Sequence, residues 1–159
     1  MTETRTEAPA RAAETAPALR YAFTIVAEVD PHIPLNERGT ERLDFIPITG
    51  GSVHGEIEGE VFPGGGDWCM TRADGGFEVQ ARYAIRTAAG EFVDIVNTGV
   101  LRHVDGETGG PEDMGYFLTT PVFRTAAPAL QWLTRSVFVG KARTQLTATT
   151  IDIYEVLAA

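Results

Sequence analysis

Nucleophilic chemistry has few residues to draw on in this chain. The serines are Ser52 and Ser136, neither inside a Gly-x-Ser-x-Gly elbow, and the lone cysteine, Cys69, lies in an extended stretch with no base beside it. One row has the character of metal ligands, His54-x-Glu56-x-Glu58-x-Glu60, whereas His32 and His103 stand apart from it. Residues two apart on a strand share a face, so the row could hold an ion; a solvated charged face is the simpler account, and no metal is expected. No Gly-x-Gly-x-x-Gly precedes a helical pattern, Gly140-Lys141 lacks the Walker spacing, and Gly64-Gly65-Gly66 reads as a turn, so no cofactor is expected. Proton transfer remains. His54, Asp94 and the Tyr116 hydroxyl are the available carriers, His54 being nearest neutrality by residue type. Trp68, Tyr83, Tyr116 and Trp132 could wall a cavity, although each alone is a common core residue.

The elements that must position these groups are strands. From Leu19 the chain alternates, with Leu19, Tyr21, Phe23, Ile25, Ala27 and Val29 opposite Arg20, Thr24 and Glu28. Asp30-Pro31-His32-Ile33-Pro34 breaks that pattern, Leu43 to Thr49 resumes an apolar run that Gly50-Gly51 ends, and Ser52 to Val61 alternates again. Asp74-Gly75 is a hairpin signal between Asp67–Arg72 and Phe77–Ile85, and the latter should pair antiparallel with Glu91–Val100. His103–Met114 is a Gly/Glu/Asp-rich loop, long enough for a lid or rim. Tyr116–Phe123 and Gln145–Leu157 read as strands, and Pro128–Leu133 as the one short helix. About eight or nine short strands with almost no helix predict an all-β fold, and long strands with interior glycines favour a closed or nearly closed antiparallel barrel.

With 159 residues, the chain has the size of one domain. Residues 1–18 lack aromatic residues and apolar period and are expected to form a disordered tail before a barrel domain at 19–159. A net charge of −9, with Lys141 the single lysine, disfavours nucleic acid and anionic membranes as partners. No apolar run has the length of a membrane span, the start lacks an apolar signal region, and one cysteine closes no internal disulfide, which points to the cytoplasm. Phe92 and Val96 lie opposite Val93 and Ile95, so both faces of that strand are apolar and a homodimer is expected.

From Gly50 nearly to the C-terminus the sequence resembles the DUF3237, or UPF0311, family. The resemblance rests on Gly50-Gly51, Gly55, Pro63-Gly-Gly-Gly-Asp67-Trp68, Ala81-Arg82-Tyr83, Asn97-x-Gly99, Tyr116-Phe117, Pro121-x-Phe123, Trp132-Leu133, Phe138-Val139-Gly140 and Asp152-x-Tyr154-Glu155-Val156. It implies a small barrel with a central cavity, akin to allene oxide cyclase and dirigent-like barrels, and no single reaction. Gln80, Leu118, Arg124 and Thr134 stand where the family usually has other polar residues, as in a retained barrel with a rebuilt pocket or in one that has drifted after losing an ancestral activity. On these matched positions Asp67, Arg82 and Asn97 become pocket residues, with Gln80, Trp68, Tyr83 and Trp132 as further binding residues. A buried arginine needs an anion, so Arg82 would either meet the ligand or brace the barrel through Asp67.

The leading expectation is an enzyme without cofactor that folds a largely apolar metabolite inside a barrel and promotes cyclisation, isomerisation or a pericyclic step, in natural-product metabolism. Arg82, His54, Asp94 and Tyr116 are its candidate catalytic residues. A carrier or sensor that only sequesters the ligand is the rival, and a lyase or hydrolase using Asp94 or His54 as base is a third reading. The tail composition carries a direct expectation: deletion of residues 2–17 leaves the melting temperature unchanged, and a large loss in a thermal melt would contradict it.

Overall fold

The computed structural model describes residues 6, 10, 12 and 15–158. Most of the expected tail at 1–18 therefore lies outside the described residues. The strands are β1 (Ala18–Val29), β2 (Ile33–Arg38), β3 (Glu41–Gly55), β4 (Gly59–Thr71), β5 (Phe77–Thr87), β6 (Phe92–Arg102), β7 (Tyr116–Arg124), β8 (Phe138–Thr144) and β9 (Ala148–Leu157). A single helical turn, α1 (Trp132–Arg135), follows a 3-10 turn at Pro128–Leu130. The strands form one antiparallel sheet in the order β1-β9-β8-β7-β6-β5-β4-β3-β2, and β1 also pairs with β3, so the sheet closes and β2 is left outside the ring.

Closure turns alternation into an inside and an outside. On β6, Val93, Ile95, Asn97 and Leu101 are buried while Phe92 and Arg102 are exposed, and on β7 Phe117, Thr119 and Phe123 point inward. The short helix and the strand count agree with the sequence pattern; several local details differ, among them the last strand, which begins at Ala148 rather than Gln145. Ser52–Val61 is not one strand: β3 runs through Gly50-Gly51 to Gly55, and β4 begins at Gly59. At Gly51 the backbone adopts φ +134°, and a Cβ would stand 1.8 Å from the Val26 carbonyl oxygen, so glycine lets β1 and β3 meet there. Likewise Pro63-Gly64-Gly65-Gly66 is no turn but an irregularity inside β4, where pairing with β5 moves from Phe62↔Ala84 to Gly66↔Arg82. Finally, β2 is exposed at every residue, so burial imposes no alternation that a sequence pattern could register.

The two ends of the barrel differ. At the end where β7 leads into β8, α1 inserts Leu133, 1% exposed, beneath a ring cluster of Phe23, Phe123, Trp132 and Phe138 with centroid separations of 5.1–6.4 Å. The approach to α1 is pinned by Gln131, whose Nε2 donates to the carbonyls of Thr125 and Ala127 at 2.9 and 3.0 Å. The opposite end is framed by the β1–β2 connection, the β6–β7 loop and the β8–β9 turn, which supply Asp30, His32, Pro111, Glu112 and Leu146 to the rim of the interior cavity. No helix among the described residues is long and apolar enough to cross a membrane.

If α1 seals the barrel, Leu133→Ala lowers unfolding free energy by about 3 kcal/mol in urea denaturation, whereas Leu146→Ala at the rim, 88% exposed, changes it by less than about 0.5. Equal effects at the two sites would remove the sealing role.

Candidate active site

Four neighbouring strands place polar side chains on one patch of the inner wall. Asp67 on β4 is the register partner of Ala81 on β5, which is paired in turn with Asn97 on β6, itself opposite Pro121 on β7. Tyr83 lies two residues from Ala81 and Thr119 two from Pro121, hence on the same face. Glycine has a part here: a Cβ at Gly65 would stand 2.4 Å from the Tyr83 Cβ, so its absence seats the tyrosine ring against β4. Asp67, Ala81, Tyr83, Asn97 and Thr119 border a cavity of about 590 Å³ whose remaining wall is largely apolar, including Val79, Phe77, Leu101, Phe117 and Ile151. That size accommodates a small organic ligand.

The polar groups of this wall lack partners. Tyr83, Asn97 and Thr119 are 5, 3 and 3% exposed, and the Tyr83 hydroxyl, Asn97 Oδ1 and Thr119 Oγ1 make no hydrogen bond. Buried polar atoms are ordinarily satisfied, so an unpaired group of this kind is suited to a ligand. Asp67 is bound on one side only: its Oδ1 accepts the Gln80 backbone N–H at 2.8 Å. Burial raises the Asp67 carboxyl to about 6, against the lowering effects of that hydrogen bond and of the His32 charge. The neighbouring Cys69 thiol is pushed up to about 12, first by burial and then by the Asp67 and Asp44 charges, which leaves little thiolate for nucleophilic work. Burial, followed by the Asp67 charge, lifts the Tyr83 phenol well above its ordinary range, so it serves as a neutral donor or acceptor.

At the rim, Asp44 is 2% exposed and its Oδ2 receives Arg42 Nη2 at 2.9 Å, with His32 Nδ1 at 3.6 Å. Its Oδ1 is unpartnered.

Of the residues singled out by sequence, Asp67, Tyr83 and Asn97 meet in the cavity. The others do not join them. Arg82 is on the outer face, its Nε 3.4 Å from Asp94 Oδ1, and Asp94 also takes Arg124 Nη2 at 2.7 Å, so the anticipated Asp67–Arg82 pair is not formed. Gln80 has an exposed side chain and contributes only its amide. His54 is exposed and pairs through Nδ1 with Glu58 at 3.1 Å, while Glu56 and Glu60 of the same row meet Arg20 and Arg86. Tyr116 lies under the Arg102 guanidinium at 4.1 Å, Trp68 packs outside on Phe45 at 4.7 Å, and Trp132 belongs to the closed end. Thr119 and the rim residues Asp30 and Glu112 were not anticipated. For Thr119 there was a signal, a hydroxyl at the inward parity of Phe117 and Phe123.

Comparison with known proteins agrees with the barrel. Residues 17–156 match the family model described as protein of unknown function, DUF3237. The chain belongs to this family. It is 37% identical over 147 residues to the UPF0311 protein RPA1785 of Rhodopseudomonas palustris, covering 87% of this chain and 95% of that one. The crystal structure of RPA1785, a conserved protein of unknown function, superposes with a TM-score of 0.80 at 36% identity over 89% of this chain and 98% of the other. A protein of unknown function from Clostridium acetobutylicum gives 0.81 at 31% identity, over 88 and 97% of the two chains. An enzyme from Penicillium herquei shares the fold, with a TM-score of 0.72 at 18% identity over 96 and 99% of the two chains.

The Asp67 environment predicts a pH signature. Its folded-state pKa of about 6 exceeds the ordinary value of 3.8, so between those values the native protein holds a proton that the unfolded chain has released. The stability contribution of this group therefore falls as pH rises from about 4 to about 6 and stays low above that. Asp67→Asn keeps the acceptor for the Gln80 amide and removes the charge. Urea titrations should find it more stable than the parent by roughly 2 kcal/mol at pH ~7.5 and equal to it near pH ~3.5. An asparagine variant less stable at neutral pH would contradict the assignment.

Proposed function

We propose that the barrel takes a largely apolar small molecule into its interior and promotes a cyclisation or isomerisation of it without a cofactor, using Asp67 as the acid–base group. One observation carries this reading: a carboxyl group poised near neutrality by burial sits in an apolar cavity beside polar groups that lack partners. A group titrating close to the working pH is suited to both giving and taking a proton. The Tyr83 hydroxyl and Asn97 would hold the polar part of the substrate, and the apolar wall would fold the remainder into a reactive conformation. Arg82, His54 and Asp94 have no direct role in this mechanism, since they face outward. Likeness in fold to an enzyme from Penicillium herquei is in keeping with catalysis in such a barrel.

The neutral dye N-phenyl-1-naphthylamine tests the binding part. Its fluorescence should rise on saturable binding to the parent and to Arg82→Met, and should not rise with Ala81→Phe, which fills the centre of the polar patch; circular dichroism checks that each variant is folded. Arg82→Met itself should cost no more than about 1 kcal/mol in stability, as its pairing with Asp94 is half in water. For catalysis, mass spectrometry of a metabolite extract from the source cells should show a compound converted by the parent and left unchanged by Asp67→Asn. A compound retained on the protein yet never converted would identify a carrier instead.

A further inference from the structure

Charge inside the cavity is one-sided. Among the described residues that line it there is no arginine or lysine; the acids are Asp67 on the wall and Asp30 and Glu112 at the rim. The single lining group that can carry positive charge is His32, half-exposed at the rim, 3.6 Å from Asp44 and forming no ion pair with Asp67. Asp67 is thus a half-buried carboxylate with a backbone amide for company and no ion-paired partner, an arrangement that costs free energy unless a cation arrives.

The unpartnered atoms around it extend the pattern. Asn97 Oδ1 is an acceptor, and the Tyr83 and Thr119 hydroxyls can accept, all three residues being more than nine-tenths buried at the same cavity. The rings of Tyr83, Phe77 and Phe117 border the space, and aromatic faces attract cations. A net charge of −9 attracts a cation toward the mouth.

We propose that the ligand of this cavity is an apolar primary amine, bound as its ammonium form with the charged nitrogen facing Asp67 and its hydrogens directed to Asp67, Asn97 and the Tyr83 hydroxyl. This deepens the functional reading above and rests on it. A neutral alcohol could satisfy Asn97 and Tyr83 but would leave the Asp67 charge without a counter-ion, and a carboxylate or phosphate would be repelled. The amine also suits the acid–base role of Asp67. Burial disfavours the charged form of both groups, so the proton can pass from the ammonium nitrogen to Asp67 Oδ2, which leaves a neutral amine beside a carboxylic acid.

Calorimetric titration of the full-length protein with 2-naphthylmethylamine, 2-naphthalenemethanol and 2-naphthoate, three probes of one shape, tests this. At pH ~7.5 the amine should bind at least about tenfold more tightly than the alcohol, and the carboxylate least. That preference should disappear in Asp67→Asn and, in the parent, on lowering the pH to ~5, where Asp67 is protonated; the other titratable groups near it are His32, Cys69 and Tyr83, with Asp30 and Glu112 at the rim. The pH series on the parent needs no substitution and stands even if the variant fails to fold. Alcohol binding as tight as amine binding would overturn the inference and leave the cavity reading in place. Failure of all three to bind would overturn the cavity reading and the inference with it.

Discussion

The pairing of β1 with β3 is the contact on which the rest of the molecule depends. Until it forms, nine strands make an open sheet with two faces; once it forms, one face becomes an interior. The joint is narrow, as Val26 and Ala27 pass against Gly51 too closely for any side chain. A bulkier residue there would push β1 outward, and every inward position from Phe23 to Ile153 would lose its opposite wall. Closure also removes two long sheet edges that would otherwise invite pairing with other chains, leaving β2 as the one edge strand.

An interior created this way need not be full. Bulky side chains, Phe23, Phe138, Ile85, Ile95 and Leu133, collect toward the end sealed by α1. Toward the other end Ala27, Val79, Ala81 and Cys69 stand among larger inward residues such as Phe77 and Phe117, and space remains where the small ones do not reach across. The polar patch therefore sits on the wall of a void rather than in packed core. This explains how Tyr83 and Asn97 can be buried, with Asp67 half-buried beside them, without being satisfied by one another.

Much of the fold was legible in the sequence because alternation is a direct record of burial on a closed sheet. Phe77, Val79, Ala81, Tyr83 and Ile85 announced their common face, and Asp74-Gly75 the turn before them. The site was legible only where residue type and parity agreed. Tyr83 and Asn97 occupy inward positions and are found there, whereas Arg82, one residue away, has outward parity and pairs with Asp94 despite its match to the family pattern. Trp68 shows the converse: its size suggested the interior, but its parity put it outside on Phe45. Where alternation was interrupted, as at Gly50-Gly51 and Pro63–Gly66, glycine signalled a close approach within a strand and was indistinguishable from a turn, since both need the same absence of a side chain.

The plug formed by α1 and its aromatic neighbours gives the interior a direction. With one end stoppered by Leu133, Trp132 and Phe138, the cavity is a blind alley: a molecule that enters past Asp30 and Glu112 must back out by the same passage. Arrival of a new guest and departure of the old one then exclude each other in time. For the reaction proposed above, a converted molecule that lingers would obstruct the doorway to the next, and turnover would be governed as much by how readily the barrel is vacated as by the chemistry within it.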